Sequence, residues 1–241
     1  MQLLAWDTVK KEVMNEKIWR KVVSGEKAMA AQVFIVKGGL VPTHQHESEQ
    51  LSYIIEGALK FELEGKEIVV RSGEVLRIPS NVPHLAVALE DTFDMDIFSP
   101  IRIDWLTGKD DYLRTGIPQA VKVPSLARSS SRTTTQLFAW ETVQKIVMND
   151  KISRRVISGE KGMVGLISLA RGAVVPAHQH ESEQLTCIQK GVLKFDVEGK
   201  EVIVRAGQVL LIPSNVPHGA AALEDTLNLE VFAPPRPDWL T

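Results

Sequence analysis

Short alternating stretches of apolar and polar residues run through most of this chain. In 59–63, Leu59, Phe61 and Leu63 alternate with Lys60 and Glu62, the two-residue period of a strand with one buried face. A turn follows at Glu64-Gly65-Lys66, then a β-branched run at Ile68, Val69 and Val70, then Ser72-Gly73. Strands of this length between glycine turns at regular spacing predict an all-β sandwich or barrel. Helical periodicity is weak, with one short candidate near Trp6–Met14.

The pattern occurs twice. At an offset of 134 and without a gap, residues 1–107 match 135–241 at 64 of 107 positions, which marks a tandem duplication. Each repeat has the length of a small domain, too long for a solenoid unit. The expected organisation is therefore one barrel in 1–107, a linker in 108–134 and a second barrel in 135–241. The linker is rich in Ser and Thr at 128–134, the composition of a flexible connector. Its earlier part carries enough apolar residues, Tyr112, Leu113 and Ile117 among them, to lie on a surface.

Composition narrows the function classes. A formal net charge of −2 offers no reason to expect nucleic acid or an anionic membrane as partner, and no apolar run is long enough to span a bilayer. The N-terminus lacks a secretory pattern, so the expected address is cytoplasmic. The one cysteine, Cys187, excludes an intrachain disulfide and reads as an inert buried thiol.

All six histidines fall into two copies of one pattern: His44, His46 and Gln50, then His84 after IPSNV; and His178, His180 and Gln184, then His218. On a strand, residues i and i+2 face the same side, so each H-x-H can offer both imidazoles to one ion. Gln50 and Gln184 keep that parity, which sets them ahead of Glu49 and Glu183 as fourth ligands. Three nitrogens and an amide oxygen suit one divalent transition metal per barrel (Zn, Ni, Fe, Mn or Co) and leave positions open for water or substrate. Further along, Asp94, Asp96 and Phe98 share one strand face, with Met95 and Ile97 on the other.

The spacings G-x5-H-x-H-x3-Q-x6-G and G-x5-P-x-N-x2-H, each present twice, resemble those of the cupin superfamily, in the two-barrel form called a bicupin. The resemblance implies two double-stranded β-helix (jelly-roll) barrels, each with its metal in the barrel mouth. Gln50 and Gln184 stand where Glu is the commoner ligand, and Asn81 and Asn215 where glycine is commoner. The stretch Asp96-Ile-Phe98-Ser-Pro-Ile-Arg102 is similar to the tail of the small KdgF-type cupins of pectin and alginate catabolism. That likeness implies metal-assisted ring opening of a 4,5-unsaturated uronate, with Asp96 and Arg102 catalytic and Phe98 in the pocket. In the second repeat, Phe232 and Arg236 match, and Glu230 replaces the Asp. An arginine suits a substrate carboxylate, though Arg102 and Arg236 could equally pair with Asp104 and Asp238.

Arg77, which becomes Leu211 in the second copy, adds charge to the first pocket if it faces inward and none if it faces solvent. Trp6, Trp140, Trp105 and Trp239 read as packing. The expected partner is a small sugar acid or other carboxylate, and a homodimer is possible. Competing functions are an Fe- or Mn-dependent dioxygenase, an isomerase like the BacB-type bicupins, and a non-catalytic sugar-acid or metal binder.

Overall fold

A computed structural model describes residues 1–120 and 134–240, so most of the Ser/Thr-rich stretch 128–134 lies outside the described residues. The chain divides into two units. One comprises Lys10–Val22 and Ala30–Glu141; the other comprises Met1–Val9, Val23–Met29 and Thr142–Thr241. We call them the N-terminal and C-terminal units after the repeat that supplies most of each.

Each unit has a seven-stranded and a four-stranded antiparallel sheet. In the N-terminal unit the larger sheet runs in the order Gln136–Ala139, Glu74–Ile78, Glu49–Glu56, Thr92–Ser99, Met29–Ile35, Ile18–Ser24 and Glu12–Asn15. The smaller runs Leu40–His44, His84–Ala88, Ala58–Leu63 and Lys66–Arg71. The C-terminal unit repeats this plan, and its outermost larger-sheet strand is Gln2–Ala5, paired antiparallel with Gln208–Ile212. The strand that opens each repeat thus belongs to the unit built mainly from the other repeat.

Sequence explains the local choices. Leu59, Phe61 and Leu63 point into the core while Lys60 and Glu62 face outward, as the alternation requires. Leu63 pairs with Lys66 across the two-residue turn Glu64-Gly65, where both residues have positive φ (51° and 72°), the backbone of the tight hairpin turn matched to strand twist. In the C-terminal unit, Leu169, Ile188, Leu193, Phe195, Leu210 and Ile212 belong to one core cluster that takes residues from both sheets.

The helix expected near Trp6–Met14 is absent. Residues 6–9 form a turn in which Thr8 Oγ1 donates to the Ala5 carbonyl, and Glu12–Asn15 is a strand, where β-branched Val13 is at ease. Among the described residues two short α-helices occur elsewhere, α1 (Ile103–Leu106) and α2 (Asp111–Thr115), the latter ended by Gly116 in the left-handed region, and Pro237–Trp239 forms a 3-10 helical turn. No helix among the described residues is long and apolar enough to cross a membrane.

Candidate metal centres

The pleat brings the histidines together. His44 ends one strand of the smaller sheet and pairs directly with His84 on the next, while Gln50 opens the central part of the larger sheet. His46 lies in the connection between them. Ligand nitrogens of His44, His46 and His84 lie within 4.8 Å of one another, and so do those of His178, His180 and His218.

Hydrogen bonding prepares these rings for a cation. Each Nδ1 faces a backbone carbonyl: Pro42 for His44 (2.9 Å), Ser48 for His46 (2.8 Å) and Val82 for His84 (2.7 Å). The second centre repeats this with Pro176, Ser182 and Val216. A carbonyl only accepts, so each Nδ1 carries the proton and each Nε2 presents a lone pair. Nε2 of His84 and of His218 is buried with no hydrogen-bond partner. Gln50 Oε1 stands 3.1 Å from His46 Nε2, an acceptor facing an acceptor, which a shared cation resolves. The amide cannot readily turn over, because its nitrogen donates to Asp96 Oδ1 at 2.7 Å. Gln184 is fixed in the same way by Glu230 Oε2 at 2.9 Å. The residues present therefore fit one divalent cation per barrel.

Burial favours the neutral form of His44, His46, His84, His180 and His218. It pushes the pKa of His44 and of His46 well below 6.5, that of His84 to about 4 and that of His180 to about 4. An unfolded chain protonates His84 and His180 near 6.5, and the metal-free folded protein only near 4, so between those values the unfolded state binds more protons. The histidine contribution to stability of the metal-free protein is thus expected to be complete above about 6.5 and to fall as pH drops toward 4. Glu230 opposes it, because its carboxyl, pushed up to about 7, holds its proton better in the folded state. Urea midpoints of Glu230→Gln, in which that opposition is gone, check this across the range; a profile no steeper than that of the wild type would refute it.

Beside each ligand set sits a buried acid. Asp96 accepts from Gln50 and from Ser52 Oγ at 2.6 Å, and Ser52 also lies 2.9 Å from Asp94 Oδ2. Burial raises both aspartates, Asp94 further because the charge of Asp96 adds to it, so the pair holds on to a proton. In the second centre, Asn228 takes the position of Asp94 and donates to Glu230 Oε1 at 2.6 Å. The amide supplies permanently the donor that Asp94 becomes on protonation. Burial pushes Glu230 up to about 7.

Phe98 and Phe232 each set an edge against the nearer histidine, His46 and His180, at 5.5 Å. Arg102 is buried and makes a bidentate pair with Asp104 (2.8 and 2.6 Å), but its Nη1 has no partner. Arg236 repeats this with Asp238, again leaving Nη1 unpartnered.

Arg77 is not in the pocket. It pairs with Leu51 across the sheet, on the face opposite Gln50, where Nε donates to Glu49 at 2.6 Å and Nη1 to Gln136 at 3.1 Å. Conversely, Trp105 and Trp239, read as packing, line the two cavities, as do Arg20 and Arg154. Ser52 and Thr186, two residues beyond each ligand Gln, were findable by strand parity. Cys187 is buried, and burial pushes its thiol up.

The cavities differ. That of the C-terminal unit is about 450 Å³ and that of the N-terminal unit about 40 Å³. A small-molecule site runs to several hundred Å³, whereas about 10–15 Å³ holds one water.

Fold and centre define a duplicated jelly-roll protein with a three-histidine, one-glutamine site in each barrel. The chain belongs to the cupin family: the Cupin domain model matches residues 32–99 and 165–233. The pectin degradation protein KdgF of Dickeya dadantii (strain 3937) is 28% identical over 96 residues, which cover 39% of this chain and 87% of that protein. Among solved structures, Bacillus subtilis oxalate decarboxylase at pH 4.6 superposes with a TM-score of 0.72 at 14% identity, covering 96% of this chain and 75% of that one. A structure of the same decarboxylase described for its Mn(II) centres gives the same TM-score and identity, covering 96% of this chain and 76% of that one. At that identity the likeness shows the fold alone. With the domain matched once in each repeat, this chain is a bicupin.

Proposed function

We propose that this bicupin is a metal-dependent enzyme that opens the ring of a small unsaturated sugar acid and isomerises it to a keto acid. The observation that carries the reading is the pairing, in each barrel, of a buried acid on the ligand glutamine with an arginine whose Nη1 lacks a partner. In the C-terminal unit, Glu230 moves the proton, Arg236 holds oxygens of the substrate and Phe232 walls the pocket; Asp96, Arg102 and Phe98 are their counterparts beside a cavity of only about 40 Å³. A bound divalent cation supplies Lewis acidity toward substrate oxygens. In the reaction a proton leaves the C1 hydroxyl as the bond from C1 to the ring oxygen breaks. The enolate so released gains a proton at C4, and no atom is gained or lost. One buried carboxyl hydrogen-bonded to a neutral donor can serve both transfers.

The test is turnover of freshly made 4,5-unsaturated galacturonate, followed as loss of its conjugated absorbance. The wild type is expected to accelerate that loss, and the double variant Asp96→Ala/Glu230→Ala to lose the acceleration; no acceleration by fully metallated wild type rejects the reading. A second reading, an isomerase like the BacB-type bicupins acting on a less polar substrate, is favoured by the apolar walls of the larger cavity: Met148, Ile152, Ile167, Leu193 and Phe195.

A further inference from the structure

Two arginine positions recur at each barrel mouth, and their partners differ. In the N-terminal unit, Arg20 and Arg102 lie over the Trp105 ring at 4.1 and 4.9 Å from its centroid. Arg20 is paired with Glu12 at 2.9 Å and with Asp110, which directly precedes α2, at 2.5 Å. Arg102 Nη2 donates to the Tyr112 hydroxyl of α2 at 3.0 Å, and the Tyr112 ring stacks on His44 at 4.5 Å. Asn15 Nδ2 ties the same helix down through the Leu113 carbonyl at 2.7 Å. This segment accounts for the small cavity, since Tyr112 and Leu113 line it.

In the C-terminal unit the matching Arg154 and Arg236 lie over Trp239 at 4.3 and 5.5 Å. Gly165 leaves room for that ring, since a Cβ there would stand 2.7 Å from Trp239 Cζ3. Ile146 takes the place of Glu12. No carboxylate among the described residues forms an ion pair with Arg154, whose Nε is buried without a partner. Asp238 is paired with Arg236, which leaves Arg154 without an ion-pair partner among the described residues, beside a cavity of about 450 Å³ that both arginines line.

We propose that α2 is a built-in occupant of the first barrel, and that the second barrel binds a small hydroxy- or keto-carboxylate through the same two arginine positions. The ligand's acid group sits on Arg154, as Asp110 sits on Arg20. A second oxygen sits on Arg236, as the Tyr112 hydroxyl sits on Arg102. The inference rests on the proposed metal centres but not on the uronate, and it makes Arg154 a ligand-binding residue. The first barrel keeps its metal set and has no room for a ligand.

Removal of Co(II) from the fully loaded chain tests this without turnover, using dipicolinate, a dicarboxylate chelator, and neutral 1,10-phenanthroline. With dipicolinate we expect two phases of equal amplitude, the fast one alone surviving in His84→Ala. Arg154→Met is expected to slow the fast phase about tenfold with dipicolinate and to leave phenanthroline unaffected, as loss of an anion-attracting charge requires. Asp110→Ala/Tyr112→Ala is expected to convert the slow phase into a fast one. A single phase in the wild type, or equal slowing of both chelators by Arg154→Met, overturns the proposal. Either result leaves the uronate assay to stand or fall separately.

Discussion

His218→Ala is expected to lower turnover by about 10³-fold, whereas His84→Ala retains most of it. The size follows from a Lewis-acid contribution of several kcal/mol, at a factor of ten for each 1.36 kcal/mol. His218 is buried, and its Nε2 has no partner other than the cation that the centre fits, so its loss removes a ligand and leaves an incomplete set. The asymmetry follows from the cavities, since about 450 Å³ admits a sugar acid and about 40 Å³ admits only water. Steady-state rates with bound metal counted in each variant check both halves. Equal losses in the two variants would mean that the first barrel opens to substrate in solution.

Glu183→Ala is expected to cost about 4 kcal/mol of stability, a large effect for one side chain that touches no ligand. The buried Glu183 carboxylate accepts three backbone N–H groups: Glu26 at 2.9 Å, Lys27 at 2.8 Å and Ala28 at 2.9 Å. Alanine leaves those donors unsatisfied, and hydrogen bonds to a charged acceptor are the stronger kind. Gly25 belongs to this cradle, because a Cβ there would meet the same carboxylate. Glu183→Gln, which keeps acceptor oxygen, is expected to recover part of the loss. Urea denaturation of the metal-loaded chain measures both; a cost below about 1 kcal/mol for the alanine variant would show that water replaces the carboxylate.

What could be read in the sequence was whatever a two-residue period governs. The choice of Gln50 over Glu49 needed only strand parity, and Glu49 does lie on the other face, with Arg77. Arg77 itself has no fixed place in the sequence, because its side of the sheet depends on a pairing register, Leu51 opposite Arg77, between strands far apart along the chain. The Asp110 partner of Arg20 and the Tyr112 partner of Arg102 were invisible for another reason. Asp110 and Tyr112 lie in the interval between the repeats, where no second copy exposes a pattern, and α2 is too short for helical periodicity to show. A tryptophan near a domain end, such as Trp239, reads as packing until the arginines above it are seen.

The exchange of opening strands bears on how the chain is made. Gln2–Ala5 is translated about 200 residues before its pairing partner, Gln208–Ile212, a separation that makes closure of that sheet a slow event. The earlier strand must therefore wait unpaired, with its backbone edge open to wrong neighbours, until that partner is made. Neither sheet system can be finished cotranslationally from one repeat alone. Folding of this duplicated protein is in that respect a single event, committed only when Gln208–Ile212 has emerged.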